Sequence, residues 1–244
     1  MNRFTSQTLI LVALMIVGVD TSADENVNDK TGQSGAATAL VHKSSDSDGK
    51  GQPSVSSSKL HRPLPESLTS FGACVVDEYL YVFSGHSGEA HGFGKDLLVD
   101  HFRRIKFDDA SAEWEELAMH DSAQSTALVT DGKDIYRIGG LSFLKGDEDG
   151  DGEEDAIFNS TDHFVRYNIE KNEWTQLAPL PSPRSSLDAA IVGRTIYVVG
   201  GWDLQGAGGS RDAPWYDTMH AFDLDHPDEG WQELDGPGYQ LRAI

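Results

Sequence analysis

The chain has 244 residues and a formal net charge of −21, with 40 Asp and Glu against 19 Lys and Arg. Neutralising a phosphate backbone needs a clustered basic face, so this balance argues against nucleic acid and against an anionic membrane surface as partners. After the first 20 residues no apolar run approaches the ~20 residues of a membrane span, so no membrane contact is expected once a leader is removed.

Residues 1–23 read as a secretory signal peptide: Arg3 supplies the positive charge, Leu9 to Val19 the apolar stretch, and Thr21-Ser22-Ala23 the small residues for cleavage. The expected destination is secreted or periplasmic. Cys74 is the sole cysteine, so no intrachain disulfide can form. Residues 24–60, rich in Ser, Asp, Gly, Lys and Asn and without apolar periodicity, cannot bury enough surface to offset the entropy of ordering. They read as a disordered linker, with a processed pro-segment as the alternative.

From residue 61 to 244 one pattern recurs three times. YLYVFSG (Tyr79 to Gly85), HFRRIKFDD (His101 to Asp109) and EWEEL (Glu113 to Leu117) are followed by DIYRIGG (Asp134 to Gly140), HFVRYNIE (His163 to Glu170) and EWTQL (Glu173 to Leu177). TIYVVGG, MHAFDLD and GWQEL complete the third unit between Thr195 and Leu234. Trp114, Trp174 and Trp231 lie 60 and 57 residues apart. Inner strands precede each unit, as in Ser70 to Asp77 and Ser186 to Gly193, and short links such as Asp77-Glu78 and Gly193-Arg194 suit hairpins.

This pattern resembles the Kelch repeat, whose units run to about 50 residues; here they are longer, with enlarged loops. The resemblance implies an all-β fold: a partial Kelch-type β-propeller of three four-stranded antiparallel blades plus the first strand of a fourth. The blades are expected at about 66–117, 118–177 and 178–234, with a partial one at 236–244. Paired glycines would let backbones approach near the axis, and the Trp residues would fill the space between sheets. Propellers close with about four to eight blades, so three and a fragment leave open edges. Either the chain is a truncated product, or several chains complete a ring by self-association.

In such blades the strand 2 to strand 3 links, here the polar loops His86 to Asp96, Leu141 to Asp162 and Trp202 to Asp217, share one face, where binding is expected. In the second, Asp147, Asp149, Asp151, Glu153 and Asp155 alternate as in the first half of a Ca2+ loop, although Phe158 stands where the closing Glu belongs. They are candidates for a weak Ca2+ site, against a plain solvated acidic insertion. His86, Glu89, His91 and His101 match no firm metal-ligand spacing. The third loop carries Trp202, Trp215 and Tyr216 with Arg211 and Asp212, which would stack on and hydrogen-bond a sugar, or pin the loop to its scaffold. Arg184 sits where Kelch units place an arginine between blades, and the resemblance implies either recognition of an acidic group or a structural role with loop carbonyls.

The expectation is an exported, non-catalytic module that binds a protein or a glycan through these loops. The alternative is a fragment of a Kelch-type enzyme. The sugar mutarotases of the family need paired acid and base groups near the channel, where Asp188 and Arg184 fall; the copper oxidases need a Cys linked to Tyr, for which Cys74 is the candidate.

Overall fold

The computed structural model describes residues 62–89, 94–146, 155–205 and 215–242, with backbone alone at 144–146 and 155–157. All of them lie in one compact unit, Val55–Ile244. Among the described residues no helix is long and apolar enough to cross a membrane.

The strands are β1 (Gly72–Val76), β2 (Tyr79–Phe83), β3 (Phe102–Lys106) and β4 (Glu115–Glu116), then β5 (Ala127–Thr130), β6 (Asp134–Ile138), β7 (Leu141–Gly146), β8 (Asp155–Ser160), β9 (Phe164–Asn168) and β10 (Glu173–Gln176). The last group is β11 (Asp188–Val192), β12 (Thr195–Val199), β13 (Met219–Asp223) and β14 (Trp231–Leu234). They form three four-stranded antiparallel sheets, β1-β2-β3-β4, β5-β6-β9-β10 and β11-β12-β13-β14, which are the three expected blades.

Each blade has two apolar faces because strands alternate their side chains. The forward face of blade 1 (Val76, Tyr81, Phe83, Phe102) packs against Leu128, Ile135 and Tyr167 of blade 2. One step on, Tyr136, Ile138 and Phe164 pack against Leu187, Ile196, Val198 and Phe222 of blade 3. The tryptophans close these junctions. Trp174 lies 5.6 Å from the Phe83 ring and 5.0 Å from Tyr167, and Trp231 lies 4.9 Å from Phe164. Each indole N–H reaches back to the link that opens its own blade: Trp114 to Pro63 O, Trp174 to Ala118 O and Trp231 to Ala178 O, at 2.9, 2.7 and 3.1 Å.

Near the axis the fastening is main-chain. Gly85, Gly140 and Gly201 donate to the carbonyls of Ala123, Arg184 and Leu241 in the next link, at 3.1, 3.0 and 2.8 Å. Leu241 thus takes the position that Ala123 and Arg184 hold after the first two blades. A second row runs Ser186 N–H to Ser125 O to Ser70 O, with Ser125 N–H as the relay, at 2.9 and 2.6 Å. All three serines hold left-handed backbone, with φ of 51, 54 and 54°. The first position of each doublet is left-handed too. In blade 1 it is Ser84 (φ 48°), whose hydroxyl donates to Val99 O and accepts from Ala123 N–H.

Two details differ from the sequence expectation. The second long loop is not a plain polar link: β7 and β8 form a two-stranded hairpin, with Leu141 opposite Ser160 and Phe143 opposite Phe158. The alternation in LSFLKG and DAIFNS drives it, and Leu141, Phe158 and Leu204 make a small core under it. Strand 4 of blade 1 is shorter than expected, only Glu115 and Glu116, and its glutamates form cross-strand ion pairs with the arginines opposite them in the ladder. Glu116 pairs with Arg103, Glu115 with Arg104 and Glu113 with Arg62.

Candidate functional site

The strand 2 to strand 3 links and the blade-to-blade links emerge on one face, and at the junction of blades 1 and 2 they enclose a groove. Its volume is about 470 Å³, and it is lined by Lys95, Leu98 and Asp100 from the first link, Asp121 and Ser122 from the connection between blades, and Ser142 and Phe143 from β7. Ser142 holds the two walls together by donating its hydroxyl to Ser122 O at 2.6 Å.

Beside this groove lies a cluster of titratable side chains that no motif announced. Asp121, an exposed carboxylate, sits 3.7 Å from Nδ1 of both His120 and His163. Within the junction, Arg137 on β6 is fully buried; its guanidinium donates to Gly139 O at 3.3 Å, meets His120 Nδ1 at 3.5 Å and lies over the Phe83 ring. Among the described residues it has no ion pair, and its Nε has no partner. Burial pushes Arg137 down to about 10, with Asp121 opposing. Burial also holds His120 and His163 below the usual imidazole range; Arg137 adds to this and Asp121 works against it. Both imidazoles are therefore neutral at pH ~7 and offer a proton acceptor beside the Asp121 side chain. The sequence signal was an arginine at the strand 2 position that is Val82 in blade 1 and Val198 in blade 3, a charge in an apolar run.

The residues singled out from sequence fall at the next junction. Arg184 is buried: it donates to Gly200 O at 3.1 Å, to Ser182 Oγ at 3.0 Å and to Thr218 Oγ1 at 3.3 Å, and stacks 4.1 Å from the Tyr216 ring. Burial lowers its pKa, with Tyr216 and Glu233 opposing. Trp202 bridges to both Ser185 and Trp215, and Arg242 lies 4.6 and 4.8 Å from the two indole rings. The structure thus joins Arg184 to Tyr216 and Trp202 to Trp215, with Arg242 as the cation on the indoles. Arg211 and Asp212 lie outside the described residues. Asp188 opens β11 and is exposed.

Asp147, Asp149, Asp151 and Glu153 also lie outside the described residues; of the acidic run only the Asp155 backbone is placed, opposite Gly146 in the hairpin. Among the described residues no three His, Cys, Asp or Glu gather as metal ligands. Of the first-loop residues, His86 is buried and bridges Thr69 and Leu98 through its backbone, Glu89 is exposed, His101 pairs with Glu116 and His91 is outside the described set. Cys74 packs on the blade 1 to blade 2 core, and burial pushes its thiol up to about 12, which leaves it protonated.

No family model matches the chain. It is 28% identical over 146 residues to Kelch-like protein terF of Aspergillus terreus, covering 57% of this chain and 28% of that one. To Kelch-like protein 36 of Mus musculus it is 24% identical over 161 residues, with coverage of 64% and 23%. To Kelch repeat and BTB domain-containing protein 12 of Danio rerio it is 27% identical over 168 residues, with coverage of 68% and 25%. The aligned part spans about a quarter of the length of these relatives. Among solved structures, that of YjhT matches with a TM-score of 0.57 at 14% identity, over 75% of this chain and 55% of that one. With the repeat pattern, the blade topology and these relatives in agreement, the units of this chain are Kelch repeats and its fold is that of a Kelch-type β-propeller.

Proposed function

We propose that the protein is an exported, non-catalytic binding module that holds a segment of another protein in the groove between blades 1 and 2. The observation that carries this reading is the convergence of three connecting segments on one groove that exposes Lys95, Asp100, Asp121 and the Phe143 ring together. An aromatic anchor flanked by both signs of charge suits a peptide with a hydrophobic residue between polar neighbours. The Kelch-like names of the relatives agree with a repeat scaffold that presents loops. Binding of the full chain to a phage-displayed random peptide library and to a glycan array tests it. Enrichment of peptides that is lost in Phe143→Ala and Lys95→Glu supports the reading. Glycan binding insensitive to both variants overturns it.

A second reading rests on the His120, Asp121 and His163 cluster. A neutral imidazole that takes the proton of a sugar's anomeric hydroxyl while an acid protonates the ring oxygen would form the carbonyl, break the bond from the anomeric carbon to the ring oxygen, and permit mutarotation on reclosure. NMR of anomer interconversion with and without the protein separates the two readings, since a binding module leaves the rate unchanged.

A further inference from the structure

The turns that join strand 1 to strand 2 lie on the face opposite the long loops, and they match residue for residue: Val76-Asp77-Glu78-Tyr79, Asp131-Gly132-Lys133-Asp134 and Val192-Gly193-Arg194-Thr195. The second residue of each is left-handed, with φ of 51, 88 and 64°. The two internal junctions can therefore be compared position by position. Between blades 2 and 3 the third turn residue closes the junction: Arg194 reaches back and donates to the Asp131 carboxylate at 2.7 Å, and Tyr136 donates its hydroxyl to the same oxygen at 3.2 Å. Between blades 1 and 2 that place is held by Lys133, but the residue in the Asp131 position is Val76. Among the described residues the Lys133 ammonium has no ion pair; its backbone N–H alone is tied down, to Asp131 at 3.0 Å. A cavity of about 290 Å³ stays open there. Its other cation is engaged: Arg104 pairs with Glu115 at 2.8 Å, lies 4.6 Å from the Tyr79 ring and donates to Tyr81 Oη at 3.4 Å. Buried Val76 and half-buried Ile169 and Tyr79 give the cavity an apolar wall, and Asp77 and Glu170, both exposed, stand at its rim.

We propose that this cavity binds a free apolar amino acid as its zwitterion. The neighbouring junction shows what a cation at this turn position meets, a carboxylate across the gap, and here the ligand supplies it in place of the Asp131 side chain. The ligand ammonium answers Asp77 and Glu170, and its side chain covers Val76, Ile169 and the Tyr79 ring. A plain anion would face both rim acids on a chain of net charge −21, whereas a zwitterion carries no net charge to be repelled. The volume lies at the lower end of the about 300–1,000 Å³ usual for small-molecule sites, which suits one small ligand and not a length of peptide. The site is separate from the groove on the long-loop face and does not depend on it.

Amide NMR of the full chain titrated with L-phenylalanine is the test. The amides of Gly132 and Ile169 should shift, and that of Gly193, in the matching turn of blade 3, should stay. Lys133→Gln should weaken binding about tenfold or more, the scale of one charge-assisted hydrogen bond. Val76→Asp supplies the acceptor found at Asp131, so Lys133 should close the cavity and binding should be lost. Lys133 is exposed, so its variant keeps the test intact if Val76→Asp does not fold. Phenylpropanoate and phenylethylamine, each lacking one of the two charges, should bind about tenfold or more weakly than L-phenylalanine. No shift at millimolar L-phenylalanine, equal affinity in Lys133→Gln, or phenylpropanoate held as tightly as the amino acid would each overturn the proposal.

Discussion

The amide N–H of Gly140 donates to the carbonyl oxygen of Arg184 at 3.0 Å, and the preceding Gly139, at φ 59°, lies so close that a Cβ there would stand 2.3 Å from the same oxygen. The contact joins blade 2 to blade 3 where no side chain fits. Gly139→Ala combines left-handed backbone with a clash against main chain, and should cost more than about 2 kcal/mol. Gly193→Ala is the control: it shares the left-handed backbone, φ 64°, with nothing within 4 Å, and should cost about 1 kcal/mol. Urea denaturation of both variants tests the difference.

Trp174 and Trp114 hold the same repeat position in different company. Trp174 packs on Phe83, Phe102 and Tyr167, whereas Trp114 is held by its bond to Pro63 O. Trp174→Ala should destabilise by about 3–5 kcal/mol, as large core truncations do. Trp114→Ala should cost about 1–2 kcal/mol, the scale of a partly exposed ring and one hydrogen bond. Chemical denaturation curves of the two variants decide it.

Acid should loosen the junctions. His120, His163 and His220 all have folded pKa values below the ordinary one, burial being the largest cause, with Arg137 or Arg184 adding to it. The unfolded chain therefore binds more protons than the folded one between the depressed values and about 6.5, so stability is full above that value and falls as pH drops through the window. His226, raised by Asp223 at the surface, acts in the opposite sense. Melting temperatures from about pH 7.5 down to about pH 5 should fall. His163→Gln should flatten the slope, whereas His226→Gln should steepen it.

Arg137 is a buried cation without an ion pair among the described residues, and its strand neighbours in the other blades are valines. Arg137→Met fills similar volume without a charge to desolvate, and should be neutral or stabilising by about 1–2 kcal/mol. It should also raise the titration midpoint of His163, because Arg137 is one of the groups that lower it. Calorimetry and imidazole NMR titration measure the two effects.

The repeat made the three blades and the shared loop face legible before any coordinate, because strand alternation, doublet glycines and recurring tryptophans are local signals. The β7 and β8 hairpin was hidden by the charge of the segment between its strands, which outweighed the alternation of Leu141, Phe143 and Phe158. Arg184 and Tyr216 were visible as residue types, but their mutual stacking depends on a turn between strands that no spacing encodes. The cluster around Asp121 was missed for a related reason. His120 and Asp121 lie in the link between blades, Arg137 on β6 and His163 at the foot of β9, and only the stacking of sheets brings them together.

The row from Ser186 through Ser125 to Ser70 is made of peptide groups alone. A seam closed in this way asks little of the side chains beside it, so a unit can be copied, shuffled or left to drift without loss of its grip on its neighbours. That tolerance fits relatives that share about a quarter of their aligned residues with this chain yet carry the same kind of repeat.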